Sequence, residues 1–449
     1  MEMSKVRILA VLPAQEVLRE SASAFAMGQV ASIAASPRGL PSNVDIDPAF
    51  PAVPLASIGA TGLVASMSAA RAPEFVVRGE IDEAAYSSLA KDGVSAINGS
   101  RIFADPRIST TLAPGCAVGP LGQAHDVASK LDVATLAARK LSGRGVALAI
   151  MDTGINLAHL QAKGLTPALD PSLTWSAGAG LPGNYPVDHG TMCAFDALIA
   201  APDATLLDFP ILLSTTSGRS AMDGFLSDAL QAYSTLLTMM RLPLSQRRYR
   251  SLVISNSWGM YHQSWDLPAG HPGRYADNRS HPFNIIVGSL ARSGADILFA
   301  AGNCGKDCPD GRCQGQVRNS ITGANAHPEV ITVAGATIND RRVGYSSQGP
   351  GIAGMAHAKP DLTSYTHFLG SEAFGAGTED SGTSAACPVA AGAVAALRTK
   401  LPPSRLAPKD LARELRTDAV LVGGGTAGWN RDYGYGIVRP AATAIRLGL

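Results

Sequence analysis

Three short segments, far apart in the chain, carry side chains able to run nucleophilic catalysis. Ser381-Gly382-Thr383-Ser384-Ala385-Ala386-Cys387-Pro388 sets a serine just after a glycine turn and at the head of an Ala-rich run. A helix starting there offers unpaired backbone N–H groups and the positive end of its dipole, so negative charge developing beside the Ser384 hydroxyl would be stabilised. Taken alone, such a serine is equally well a helix cap. Val146-Ala147-Leu148-Ala149-Ile150-Met151-Asp152 is an unbroken apolar run of the length of a buried parallel strand, ending in a carboxylate and a Thr153-Gly154 turn. Asp188-His189-Gly190-Thr191-Met192 brings a histidine to the start of a helix-permissive segment spanning 191–200. A serine alcohol needs a general base, and a neutral imidazole needs a carboxylate to fix its tautomer and stabilise the imidazolium that forms. Asp152, His189 and Ser384 supply all three parts, each in its own glycine-marked turn.

A fourth segment adds what acyl transfer needs beyond a triad. Ile297-Leu298-Phe299-Ala300-Ala301-Gly302-Asn303 reads as another buried strand running into a turn that ends in an amide, and Asn303 could donate to an oxyanion. With the chain order Asp152, His189, Asn303, Ser384 in these four contexts, the sequence resembles the subtilisin-like serine proteases, the S8 family. Asn256-Ser257-Trp258-Gly259 is similar to the family's Ser-x-Gly strand, which pairs with substrate backbone, and 327–335 to its following core strand. Ser346-Ser347-Gln348-Gly349-Pro350, Lys359-Pro360-Asp361 and Tyr433-Gly434-Tyr435-Gly436 fit its later segments, so the resemblance covers 117–449.

The resemblance implies a doubly wound α/β domain, a mostly parallel sheet with helices on both faces. It implies Ser384 as nucleophile, His189 as base and then acid, Asp152 as its orienting partner, and an oxyanion hole made by Asn303 and the Ser384 N–H. Substrate would be held in extended form along Ser257, Trp258 and Gly259 and against a second strand that the sequence does not identify. The primary pocket would be walled by Ala300, Ala301 and Gly302, with Trp258 either narrowing an outer pocket or lying in the core. Met192 departs from the family's His-Gly-Thr-His pattern, and that second histidine has no evident part in the chemistry. The reaction needs no cofactor. Calcium, which many family members use for stability, could be held near Asp307 and Asp310, but their spacing matches no defined motif.

The remaining histidines read as structural: His159 close after Asp152, and His125, His262, His271, His281, His327, His357 and His367 in polar or proline-containing surroundings where each is expected to be solvated or satisfied locally. Neither a His-Glu-x-x-His zinc motif nor a Gly-x-Ser-x-Gly elbow is present. The 37 basic and 36 acidic side chains leave a net charge of +1, so there is no electrostatic footprint for nucleic acid or anionic membrane. The longest weakly apolar stretch, 56–70, is glycine-interrupted and shorter than the ~20 residues of a membrane span. Glu2 and Arg7 make a poor secretory signal, which leaves the compartment open and predicts a strand over 6–12 instead.

The first 113 residues read as an N-terminal segment, 1–72, followed by a unit at 73–113. In the second, Phe75 to Ile81 alternates as a strand, 83–91 can form a helix, and 94–97 and 101–106 return as strands. This β-α-β-β piece resembles the end of subtilisin propeptides, which in that family act as folding chaperones and intramolecular inhibitors. The segment 16–35 could be helical, 38–55 reads as an extended connection, and 110–115 as the linker to the peptidase domain, 117–449, whose first helix would span 126–141. Of six cysteines, Cys304, Cys308 and Cys313 crowd into the loop after Asn303. A disulfide stiffening that turn, a pairing with Cys116 or Cys193, reduced thiols, or a metal site short of one ligand are all compatible with the spacing. Cys193 and Cys387 read as small buried apolar residues. The expected activity is endopeptidase hydrolysis through an acyl-enzyme; a dedicated maturation protease or peptide ligase, or a binding protein retaining the fold, are the alternatives.

Overall fold

The apolar stretch at the N-terminus becomes the middle strand of a sheet assembled from separate parts of the N-terminal region. The computed structural model describes residues 5–13, 40, 43–55, 74–92, 96–97, 100–112, 119–213, 222–422 and 428–449. Strands β1 (Lys5–Pro13), β2 (Val44–Ile46), β3 (Val53–Leu55), β4 (Glu74–Asp82), β5 (Ala96–Ile97) and β6 (Ser100–Ala104) form one antiparallel sheet in the order β2-β4-β1-β6-β5, with β3 also on β4. Helix α1 (Glu83–Asp92) follows β4. The boundary expected at residue 72 therefore needs correcting: β1 pairs with β4 from Lys5 opposite Asp82 to Pro13 opposite Glu74, so both belong to one unit. A strand apolar on both faces announces its burial but not its partners. One face, with Leu9, Val11, Val76 and Phe103, packs into the same core as Tyr233 and Phe283 of the following domain, while Ala10, Leu12, Phe75 and Val77 cluster on the other. The helix expected at 16–35, the stretch at 56–70 and the second half of the linker, 113–115, lie outside the described residues.

Strand β7 (Arg107–Thr110) leaves this sheet, and the large domain adds β8 (Val146–Asp152), β9 (Ala168–Leu169), β10 (Thr205–Pro210), β11 (Asp223–Phe225), β12 (Ser251–Asn256), β13 (Trp258–Gly259), β14 (Ala295–Ala300), β15 (Ile331–Ala336) and β16 (Leu362–Tyr365). Seven of these form a sheet in the order β16-β15-β14-β12-β8-β10-β9, every neighbouring pair parallel. Strands β8, β12 and β14 are buried along their whole length. A parallel sheet so buried must be covered on both faces. The expected first helix is instead two, α2 (Ala124–Leu131) and α3 (Val133–Ala138), because Asp132 adopts φ 53° and its side chain caps α3 by accepting from the Thr135 N–H. Next come α4 (Leu157–Ala162), α5 (His189–Leu198), α6 (Leu226–Arg241), α7 (Pro282–Arg292) and α8 (Thr383–Arg398). Helices α6 and α7 pack with one core on one face, and α5 and α8 with a second core on the other. Among the described residues no helix is long and apolar enough to cross a membrane.

Parallel strands deliver all their carboxyl ends to one edge, where ligand crevices form in open α/β sheets. The helix that carries Ser384 is tied to the strand that leads to Asn303 by a buried ion pair. Arg398 donates Nε to Asp296 Oδ2 at 2.5 Å and Nη2 to Asp296 Oδ1 at 2.7 Å, and its Nη1 reaches the carbonyls of Leu401 and Leu406. Removing one member of such a pair strands the other charge, so Asp296→Ala is expected to lower the unfolding free energy by about 3–5 kcal/mol. Urea denaturation followed by tryptophan fluorescence measures this, and an unchanged midpoint would show that the pair does not clamp α8 onto β14.

Candidate active site

Strand β8 ends on Asp152 and α5 begins on His189, and the two side chains meet. Asp152 Oδ1 lies 2.7 Å from His189 Nδ1 and also accepts the Thr153 N–H at 2.8 Å. The carboxylate thus fixes the ring so that Nε2 is left to face the cleft. Close backbone approach makes this possible: the Gly190 N–H donates to Thr153 Oγ1 at 2.9 Å, and a side chain on Gly190 would meet the Gly154 carbonyl oxygen at 2.4 Å.

Ser384 lies in the first turn of α8, after Gly382 at φ 77°. Pro388 has no N–H to give the Ser384 carbonyl, which is four residues earlier. Ser257 Oγ fills the vacancy by donating to that carbonyl at 3.0 Å, and so joins α8 to the end of β12. Ser384 Oγ lies 2.8 Å from Thr111 Oγ1 and 3.2 Å from the Ser257 carbonyl oxygen. It is not paired with His189 Nε2, which has no hydrogen-bond partner among the described residues. Asn303, just beyond β14, accepts from the Thr383 N–H and the Thr383 hydroxyl, both at 3.0 Å, through its Oδ1. Its amide is thereby oriented, and Nδ2 donates to the Thr111 carbonyl at 2.5 Å.

The chain occupies its own cleft. Strand β7 lies antiparallel between β11 and β13, with Asp223 opposite Ser109 on one side and Trp258 opposite Thr110 and Gly259 opposite Ser109 on the other. The Thr111 N–H continues the ladder by donating to the Ser257 carbonyl at 2.8 Å. Strand β11 borders β7 on the edge opposite β13, a pairing that sequence reasoning did not place. Thr111 borders a small cavity lined by Gly259, Ala301, Gly302, Thr322 and Asn325. Ala301 and Gly302 line this cavity, while the Ala300 carbonyl accepts from Asn325 Nδ2.

The subtilase profile matches residues 143–436. The chain belongs to the subtilase family. This is the family of S8-type peptidases. It is 24% identical over 259 residues to an endoprotease, "Endoprotease bli", of Onchocerca volvulus; the match takes in 57% of this chain but only 34% of that relative, so the chain spans about a third of its length. The crystal structure of a lanthipeptide protease superposes with a TM-score of 0.50 at 18% identity, covering 74% of this chain and 100% of that one, which supports the subtilisin-like fold.

Other expectations for this subtilase sort by their surroundings. Trp258 is fully buried and edge-on to Phe299, so its side chain belongs to the core and only its backbone faces β7. His159 Nε2 is engaged 2.7 Å from the Ser371 carbonyl, away from Asp152. His271 and His281 are satisfied locally, by accepting the Gly273 and Phe283 N–H groups, and also across the chain, on the carbonyls of Leu89 and Ala104 in the N-terminal unit. Cys304 and Cys313 form a disulfide and Cys308 is also disulfide-bonded, whereas Cys193 and Cys387 are buried free thiols; Cys116 lies outside the described residues. Asp152, His189 and Cys193 group closely enough to hold a metal ion; burial and the neighbouring Asp152 push the Cys193 thiol well up. Asp307 and Asp310, the carboxylates considered for calcium, pair with Arg342 and Arg312. Sequence reasoning missed β11, Tyr261 and Arg312; the only signal was the cysteine spacing, which closes a loop directly after Asn303.

Asp208, within β10, holds the turn after Asp152 by accepting the Ile155 and Gly183 N–H groups. Burial, with Asp152 adding to it against those hydrogen bonds, pushes its carboxyl up from 3.8 to about 7. The folded protein thus binds this proton more tightly than the unfolded chain, and stability from this group falls as pH rises from about 4 through 7. Asp208→Asn is expected to raise the thermal midpoint relative to wild type at about pH 8, with the gain shrinking toward about pH 5. Scanning calorimetry at both pH values reads it, and a gain that grows on acidification would contradict the assignment.

Proposed function

We propose that this subtilase is a serine endopeptidase synthesised with its own inhibitor attached, and that it cuts itself between Thr111 and Leu112. The observation that carries this reading is the Thr111 carbonyl held by Asn303 Nδ2, with the Thr111 N–H on the Ser257 carbonyl and Ser384 Oγ beside the same residue. A peptide held in this way presents one carbonyl to one nucleophile.

In the proposed reaction Ser384 Oγ turns from Thr111 Oγ1 toward His189 Nε2, gives up its proton there and attacks the Thr111 carbonyl carbon. Asp152 keeps Nδ1 protonated and so leaves Nε2 free to accept. Charge on the carbonyl oxygen is met by Asn303 Nδ2, already oriented by Thr383, and by the first N–H groups of α8. Collapse breaks the C–N bond, His189 Nε2 returns the proton to the Leu112 nitrogen, and water then hydrolyses the ester with His189 as base. Residues up to Thr111 would remain in the cleft as bound product, since β7 pairs on both edges and β1, β4 and β6 share a core with α6 and α7. The residues Ser109, Thr110 and Thr111 point to substrates with small hydroxylated side chains before the cut, which fits a restricted processing role better than broad digestion.

Wild-type protein is expected to label with a fluorophosphonate and to yield a fragment whose N-terminal sequence starts at Leu112. Ser384→Ala should accumulate uncut, and His189→Ala and Asp152→Asn should each lower turnover by roughly 10⁴-fold or more, whereas His159→Ala should not. Cutting that persists in Ser384→Ala, or an active enzyme with an intact Thr111–Leu112 bond, would overturn the reading.

A further inference from the structure

One arginine touches the strand in the cleft on both sides of the Thr111–Leu112 bond. Arg312 Nη1 donates to Ser109 Oγ at 2.6 Å and to the Thr110 carbonyl at 3.1 Å, while Nη2 donates to the Leu112 carbonyl at 3.1 Å. A planar guanidinium can serve two carbonyls and a hydroxyl in one fixed fork, which an ammonium cannot.

The fork is held from behind. Asp310 takes Nε at 3.0 Å and Nη2 at 2.7 Å. The Tyr261 ring lies 3.9 Å from the guanidinium carbon, its hydroxyl accepts from Nη2 at 2.8 Å, and the same hydroxyl donates to the Thr110 carbonyl at 2.9 Å. Arg312 sits in a short 3-10 turn, Gly311–Cys313, and the Cys304–Cys313 disulfide closes that turn onto the residue after Asn303. Donors to the backbone around the bond and the donor to its carbonyl are thus fixed to one another by a covalent link.

We propose that Arg312 is a substrate-positioning residue that grips the peptide across the scissile bond, and that it selects substrates that continue past the cut and carry a hydroxyl at the place of Ser109. The proposal rests on the endopeptidase reading. The Leu112 contact lies on the leaving-group side, so it holds the departing amine in line during attack, and a substrate ending in a simple leaving group forgoes it. The Ser109 contact is made by a side chain, so it discriminates among peptides where the backbone contacts do not.

The test uses the processed full chain as wild type, Arg312→Gln and Arg312→Lys, with two probes: a peptide containing Ser-Thr-Thr-Leu, and Ser-Thr-Thr p-nitroanilide. Hydrogen bonds to a charged group lead us to expect Arg312→Gln to lower kcat/KM on the peptide by roughly 10–100-fold, mainly in kcat, and on the anilide by several-fold less. Arg312→Lys should fall between, and conversion of the uncut chain should slow in the same order. Replacing the first serine of the peptide by alanine should cost wild type several-fold and Arg312→Gln almost nothing, a coupling that a merely structural role would not produce. Equal losses on peptide and anilide, or an alanine penalty unchanged in Arg312→Gln, would overturn the proposal. Failure of the endopeptidase reading looks different: wild type itself would neither label with a fluorophosphonate nor cut either probe.

Discussion

The site depends on a single hydrogen bond between the end of a strand and the start of a helix. Asn303 Oδ1 accepts the Thr383 N–H, one of the first groups of α8 that has no partner within the helix. The bond satisfies that group, fixes which end of the amide faces the cleft, and sets the register between β14 and α8. At the far ends of the same two elements, Arg398 and Asp296 close the other side of the frame. Ser384 is thereby held beside an amide donor.

Asp152 and His189 are positioned by a different device, the absence of side chains. Gly190 lets the start of α5 press against the Gly154 carbonyl, and Thr153 seals the contact through its hydroxyl. The Asp152 to His189 contact follows from this approach, since a Cβ at Gly190 would force the helix away. Proline completes the arrangement: Pro388 leaves the Ser384 carbonyl free for Ser257, whose own carbonyl receives the Thr111 N–H. One residue thus touches both the proposed nucleophile's backbone and the strand in the cleft.

The N-terminal unit is bound by more than its last strand. Asp105 Oδ1 accepts the Ser227 N–H at the start of α6, and Arg78 bridges Asp47 of its own unit to Asp228 of that helix. His281 is fully buried; its Nδ1 caps α7 by accepting the Phe283 N–H, which leaves Nε2–H to donate to the Ala104 carbonyl. Burial pushes this histidine down to about 4, so it stays neutral and serves both bonds at ordinary pH. These contacts join on to β7, and the segment that enters the cleft is therefore delivered by a folded body rather than by a free tail.

Asp152, His189, Asn303 and Ser384 were legible in the sequence because each sits where an apolar strand or small-residue helix meets a glycine turn, a local pattern that needs no knowledge of the partner. The same locality made the core strands and the Val6-to-Leu12 strand readable. It could not show that β1 lies between β4 and β6, since strand pairing is a long-range choice that period-two alternation leaves open. It could not show β11 either, because three residues carry no period, nor decide that Trp258 turns into the core while its backbone faces the cleft. Arg312 was invisible for a further reason: its role exists only once a disulfide folds its turn back over Asn303 and once β7, just over two hundred residues earlier in the chain, arrives beneath it. Composition and spacing determined which candidate side chains stand at the ends of which strands and helices, and only tertiary packing decided what lies in the cleft and what holds it there, because those contacts are set by the meeting of distant surfaces and not by any local preference.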